Sequence, residues 1–377
     1  MSSRILEIGV VGAGAVATSV HLPILTRRSD LFHVNAVADF NTASANHLAS
    51  RFGIPEEGVF SSAYDMISSG RIDAVAIINS GSHCQLVVAA LEAGLNVFCE
   101  KPLAYTKNEM EQIETALGKS SGRLMIGYMK TYDAAVARAQ QEIGTKRPRT
   151  VDVLVLHPSG ESQLATSEIS VKAFRPSAEL VDEFKKSARV IAVEALGESA
   201  AHAFGDEYAD IILGSIIHEF SVLRSLDIHL SQIDFVDRWP RKSRSESFVI
   251  HARTEDDVRV TIRWFYLEKY PLYQEEIRWV SETEGHHIIF PSPYILRVPT
   301  KLISTRRLGL AHDVSTFESY EPSFELELAA FHRLAVTGEQ MTDPIEAGYE
   351  DLTISQKIAK KICQGEEIEI GGDLINS

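Results

Sequence analysis

Up to Gly127 the chain alternates short apolar runs with stretches in which apolar positions recur every three or four residues. Ile5–Val11, Val34–Ala38, Ala74–Ile78, Asn96–Cys99 and Leu124–Gly127 read as strands, the first interrupted only by Glu7 and Gly9. Ala15–Arg27, Thr42–Phe52, Tyr64–Ser69, His83–Ala93 and Asn108–Gly118 read as helices between them. Strands that are apolar on both faces and separated by helices predict a parallel, doubly wound sheet. Right-handed crossovers then make the topology that of a Rossmann domain.

After Tyr128 the pattern changes. Ala134–Ile143 reads as a helix and Thr150–His157 as a strand, while 158–209 is polar and irregular with short helical pieces and Ser-Gly and Gly-Glu-Ser stretches. Asp210–Leu226 is a strongly amphipathic helix. Strands follow at Gln232–Trp239, Ser247–Arg253, Val258–Leu267, Glu275–Ser281 and His286–Phe290, and helices return at Phe324–Thr337 and Glu346–Cys363. In Val258–Leu267 one face carries Val258, Val260, Ile262, Trp264 and Tyr266, and the other Arg259, Thr261, Arg263, Phe265 and Leu267. This two-residue period predicts a half-buried, mostly antiparallel open sheet. The expected organisation is a dinucleotide-binding domain over 1–126 and an α+β domain over 127–377 that binds substrate and mediates oligomerisation, a length that suits two cores. Trp264, Tyr266 and Phe265 ask for cover by helices on one side and by another subunit on the other, so a homo-dimer or homo-tetramer is expected.

Composition narrows the function. Asp and Glu total 52 against 37 Lys and Arg, a formal charge of −15, which excludes the positive footprint nucleic acid requires. Cys84, Cys99 and Cys363 show no metal-ligand spacing, so no metal is expected, and scattered thiols fit a reducing compartment. No apolar run is long enough to span a bilayer. A cytoplasmic protein is expected.

Gly12-Ala13-Gly14-Ala15-Val16-Ala17 lies between the first strand and the first helix. It fits the G-x-G-x-x-G/A pattern: Gly12 for the tight turn, Gly14 for backbone approach to a pyrophosphate, Ala17 for close packing, with Ala15 and Val16 opening the helix whose N–H groups face the phosphates. Asp39 ends the second strand, where a carboxylate accepts from ribose hydroxyls and repels a 2′-phosphate. Phe40 and Asn41 follow with no cation, which favours NAD over NADP. Asp39 would equally suit a cap for the helix at Thr42. Asn79 and Ser80 follow the third strand at the ligand-binding edge, and His83 either approaches the cofactor or opens the next helix. Glu100-Lys101-Pro102 follows the fourth. A lysine there can donate to a substrate oxygen and stabilise an alkoxide; the same spacing describes a solvated loop lysine.

These segments resemble the Gfo/Idh/MocA oxidoreductase family. Gly12–Ala17 with His21-Leu22-Pro23, Ala90-Leu91-Glu92-Ala93-Gly94, Glu100-Lys101-Pro102-Leu103-Ala104, Gly127-Tyr128-Met129-Lys130-Thr131-Tyr132-Asp133, and Glu327, Phe331 and Gly338 followed by a helix and a terminal strand are similar to that family's elements. The resemblance implies a Rossmann domain joined to an open-faced α/β domain, and NAD(P)-dependent oxidation or reduction of a sugar, glycoside or cyclitol. It implies Lys101 as the catalytic lysine, its peptide to Pro102 cis, with Glu100 and Lys101 beside the cofactor. The family's Asp-x-x-x-His matches here with Gly214 and His218, so His218 stands without the acid one turn before it. His218 would accept the hydroxyl proton, touch substrate, or fill the core. Tyr128, Lys130 and Tyr132 would face substrate if Leu124–Tyr132 stays extended. Two other outcomes exist within the family: an oxidation-elimination glycosidase that recycles its cofactor, and a non-enzymatic NAD(P)-binding regulator.

Overall fold

The structure is a computed structural model and describes residues 4–159, 178–239, 247–293, 295 and 298–376. The chain folds as two compact units: the described parts of 1–128, 169–195 and 327–352, and those of 129–168, 196–326 and 353–377. The first therefore takes in two segments that follow it in sequence, where the sequence predicted one boundary near Gly127.

In the first unit, strands β1 (Leu6–Val11), β2 (Phe32–Ala38), β3 (Val59–Phe60), β4 (Ala74–Ile77), β5 (Asn96–Glu100) and β6 (Leu124–Gly127) pair in parallel in the order β3-β2-β1-β4-β5-β6. β4 and β6 are buried along their whole length, as continuous apolar runs require. A π-helical turn, Ala17–His21, leads into α1 (Leu22–Arg27). Pro23 has no N–H, and its ring would collide with the carbonyl four residues back in a regular α-helix; the wider turn absorbs this. α2 (Thr42–Phe52) is capped by Asn41, whose side chain accepts from the Ala43 and Ser44 N–H groups. Asp39 is thus relieved of the capping role. α3 (Ala63–Ser68), α4 (Cys84–Glu92) and α5 (Lys107–Lys119) complete the crossovers.

The second unit contains α6 (Ala134–Ile143) and an eight-stranded sheet of β7 (Thr150–His157), β8 (Gln232–Trp239), β9 (Ser247–Arg253), β10 (Arg259–Tyr266), β11 (Gln274–Val280), β12 (Glu284–Phe290), β13 (Lys301–Leu308) and β14 (Ala311–Glu318). The order is β14-β13-β12-β11-β7-β10-β9-β8, antiparallel except for β7 with β10. Val260, Ile262 and Trp264 are buried while Arg259 on the opposite face is exposed, as the alternation predicts. Trp264 and Phe265 consequently face opposite ways, and Trp264 donates its indole N–H to Ser215 at 3.0 Å.

Four expectations are corrected. Met129–Tyr132 is a 3-10 turn, not a continuation of β6. The helix expected over Asp210–Leu226 is a π-helix, Tyr208–Ile216, that passes into an α-helix (Ile217–Ser225, α9). Residues 160–177 lie outside the described residues, but the rest of the supposedly irregular stretch holds a 19-residue helix, α7 (Ala178–Leu196), and α8 (Glu198–Glu207). Gly372–Asn376 is 3-10 rather than the expected terminal strand. The β13–β14 pair was not foreseen, because β14 is exposed almost throughout and has no buried face to mark it. No described helix is long and apolar enough to cross a membrane, and no group of His, Cys, Asp and Glu among the described residues could hold a metal ion.

Candidate active site

The carboxyl edge of the first sheet gathers the sequence-predicted nucleotide residues. Gly12 follows β1 with φ of +99°, and a Cβ there would lie 2.9 Å from the backbone N and Cα of Asn79. Both facts require glycine. Gly14 is exposed, and a Cβ on it would meet nothing within 4 Å. The turn is therefore packed against protein at its first glycine and open at its second. Asn79 Nδ2 donates to the Ser80 carbonyl at 3.0 Å, while the buried Asn79 Oδ1 has no partner among the described residues. Asp39 accepts from the Ala13 N–H at 2.7 Å and from the Asn41 N–H at 2.8 Å. An open glycine face, an orphaned acceptor beside it and a fixed carboxylate at the end of β2 fit a dinucleotide.

Glu100 closes β5, and the Lys101–Pro102 peptide is cis. His21 Nε2 lies 2.8 Å from Glu100 Oε1, and Glu100 Oε2 accepts the Lys101 N–H at 3.2 Å. His83 places its two ring nitrogens 2.8 Å from the carbonyl oxygens of Asn79 and Pro102. His83 thus braces the turn after β4 against the Lys101–Pro102 turn. Burial alone would raise the Glu100 carboxyl, but the hydrogen bond from His21 and the charges of His21, Lys101 and His83 draw it below the usual carboxylate range.

Behind Glu100 sits a second acid that the sequence marked only as a point of resemblance. Glu327 lies on α10 (Ser323–Thr337), one turn before Phe331, whose ring packs on Phe98 with centroids 5.7 Å apart. Four residues of helix and two of strand advance by similar lengths, about 6 Å, so Glu327 is brought over Glu100 as Phe331 is over Phe98. Glu327 is fully buried, and neither carboxyl oxygen has a hydrogen-bond partner among the described residues. Burial, and then the charge of Glu100, hold it well above the usual range, which favours its protonated form.

The second unit carries a separate charged cluster. Lys130 is 3% exposed, with its ammonium 2.5 Å from Glu275 and 3.3 Å from Glu219. Tyr273 donates to Glu275 at 2.5 Å. Burial, reinforced by Glu275 against the opposing pull of Lys130, pushes Glu219 up to about 8. Burial would lower Lys130, but the two carboxylates outweigh it and hold it above its ordinary value. His157 stands beside Trp264, Tyr266 and Tyr273 with ring centroids 5.5, 6.2 and 5.7 Å away. Burial lowers its pKa, so it is neutral, and its Nδ1–H donates to the Pro158 carbonyl at 2.8 Å. Nε2 is then the acceptor nitrogen.

Residues 6–128 match the GFO_IDH_MocA model, described as an oxidoreductase family with an NAD-binding Rossmann fold. Residues 6–128, about a third of the chain, are thus the part that matches this family. An inositol 2-dehydrogenase of Acidiphilium cryptum is 34% identical over 169 residues, 43% of this chain and 48% of the relative. The matched region thus spans about half the length of that curated relative. Two solved structures share the fold. A UDP-N-acetylglucosamine 3-dehydrogenase from Acidithiobacillus ferrooxidans has TM-score 0.68 at 15% identity, covering 95% of this chain and 98% of that one. A scyllo-inositol dehydrogenase from Lactobacillus casei, with bound NAD(H) and scyllo-inositol, has TM-score 0.66 at 17% identity, covering 95% and 97%.

Within the matched domain, Gly12, Gly14, Ala15, Val16, Asp39, Asn79, Ser80, His83, Glu100 and Lys101 all lie at the carboxyl ends of β1, β2, β4 and β5. Tyr128 donates to Asp351 instead of standing on an extended strand, and Lys130 is buried among carboxylates. His218 lies in the first turn of α9, half-buried. Gly214 belongs to the π-helix, and a Cβ there would press on the Ala209 carbonyl at 3.0 Å, so glycine suits this backbone where the resemblance implied Asp. Sequence reasoning missed Glu219, Glu275, Tyr273 and His157 as a group, because they come from separate elements with no shared spacing.

Three outcomes follow. Gly14→Val should leave the melting temperature unchanged and weaken NAD binding more than tenfold by calorimetry; equal affinity would remove the diphosphate from this turn. Lys130→Ala strands two buried acids and should cost about 3–5 kcal/mol in urea unfolding. Glu327→Gln tests the buried acid. A folded-state pKa raised above the unfolded value makes wild-type stability fall as pH rises above the unfolded value. The variant should therefore show a shallower loss of melting temperature from pH 5 to 8, and identical slopes would refute a protonated Glu327.

Proposed function

We propose that this protein is an NAD-dependent oxidoreductase that moves a hydride between nicotinamide and a secondary hydroxyl or ketone of a cyclitol, sugar or glycoside. The observation that carries the reading is the Glu100-Lys101-Pro102 turn, tied by His21 to the helix of the glycine turn and by His83 to the strand beside it. When bound, the nicotinamide supplies the hydride acceptor, or the donor in reverse.

The chain's residues do the rest. Asp39 already accepts two backbone N–H groups. Its carboxylate favours ribose hydroxyls and opposes a 2′-phosphate, which supports NAD over NADP. The Lys101 ammonium donates to the substrate oxygen and offsets the charge that grows there as the hydroxyl proton departs. His218 takes that proton as the C–H bond breaks and the carbonyl forms; in the reverse direction it returns the proton to the oxygen. The names of the curated relatives point to an inositol as the first substrate to try.

The test is a panel of inositols, sugars and glycosides with NAD or NADP, followed by nicotinamide absorbance. Activity with NAD should appear on at least one cyclitol or sugar. Lys101→Ala should lower kcat by about 100-fold or more, with NAD binding retained by calorimetry. Full activity in Lys101→Ala would remove the lysine from the mechanism, and absence of turnover on every member would remove the dehydrogenase reading.

A further inference from the structure

Helix α7 (Ala178–Leu196) comes from sequence beyond the strand–helix repeats of the Rossmann domain, yet it packs in the same compact unit. Asn108 on α5 donates to Glu194 at 3.1 Å, fixing one end. At the other end Phe184 meets Phe40, with ring centroids 5.5 Å apart and an interplanar angle of 59°. Phe184 also lies over the turn after β4, where a Cβ on Gly81 would be 3.9 Å from its ring.

These two contacts define a bridge. Phe40 follows Asp39 at the end of β2, Gly81 follows β4, and both strands flank β1 in the sheet. Neighbouring strands are about 4.8 Å apart, so the ends of β2 and β4 stand about 10 Å from each other across the glycine turn. One phenylalanine touches both sides. Phe184 remains 38% exposed and Phe40 49% exposed, so apolar surface is left over the groove.

We propose that α7 covers the adenosine half of the dinucleotide groove and that Phe184, with Phe40, forms the slot for the adenine ring. The inference rests on the NAD-binding reading of the first unit. Asp39 faces the ribose, the purine is one bond from that ribose, and the residue after Asp39 is aromatic. Flat aromatic faces suit a purine, which stacks without needing a specific hydrogen bond. Cofactor affinity then depends on a helix outside the Rossmann repeats, and release requires the Phe184 ring to move aside.

Calorimetric titration with NAD and with ADP-ribose tests this in wild type, Phe184→Ala and Phe184→Tyr, each checked for an unchanged circular dichroism spectrum. Phe184→Ala should bind both ligands about tenfold more weakly, and Phe184→Tyr should restore wild-type affinity. Unchanged or tighter binding in Phe184→Ala would overturn the proposal, the tighter result meaning that the ring occupies the slot itself. Phe184→Tyr as weak as Phe184→Ala would also overturn it. Failure of wild type to bind either ligand would instead sink the nucleotide reading, and the inference with it.

Discussion

The contact on which the proposed chemistry of the first unit depends is the hydrogen bond between His21 and Glu100. His21 ends the π-helical turn that begins just after the glycine turn, and Glu100 ends β5. Joining them at 2.8 Å ties the element that would receive a diphosphate to the strand that delivers Lys101. Glu100 passes the constraint on through the Lys101 N–H. A loop lysine would otherwise sample many positions, and a group meant to stabilise charge works only if it is held where the charge develops. The π-helical turn is part of this arrangement, since the widening that accommodates Pro23 also sets the direction of His21.

Much of this was legible in the sequence, and the reason is local. The glycine turn declares itself in six residues because its demands are steric: positive φ at Gly12 and open space at Gly14. Parallel strands buried on both faces have no alternative but to be continuous apolar runs. The alternation in β10 was equally plain, because one face is packed and the other is not.

What escaped the sequence is non-local or geometrically irregular. Lys130, Glu219 and Glu275 look like ordinary surface charges until three elements bring them together with almost no solvent. Once they are assembled, the raised Glu219 leaves the buried ammonium facing little excess negative charge, and the cluster becomes tolerable in a medium that penalises isolated ions. The spacing from Gly214 to His218 was read as one α-helical turn. The backbone there is π-helical, and a Cβ at position 214 would stand 3.0 Å from the Ala209 carbonyl, a constraint that residue spacing does not announce. The missing acid is therefore a feature of a different helix and not merely a deletion from a familiar one.

The stretch around 158–209 shows how a segment that reads as polar and irregular acquires a role. Its described part is largely helix, and α7 is spent on the first unit although it follows β7 of the second. Closing a long connection costs only slowly more as its length grows, so returning a helix over a distant strand edge is a modest entropic demand. At 15–17% identity the related structures share the fold alone. A fold so widely shared leaves specificity in this chain to the residues that line the groove and to segments such as α7, where a single aromatic ring would alter binding without disturbing a strand of the sheet.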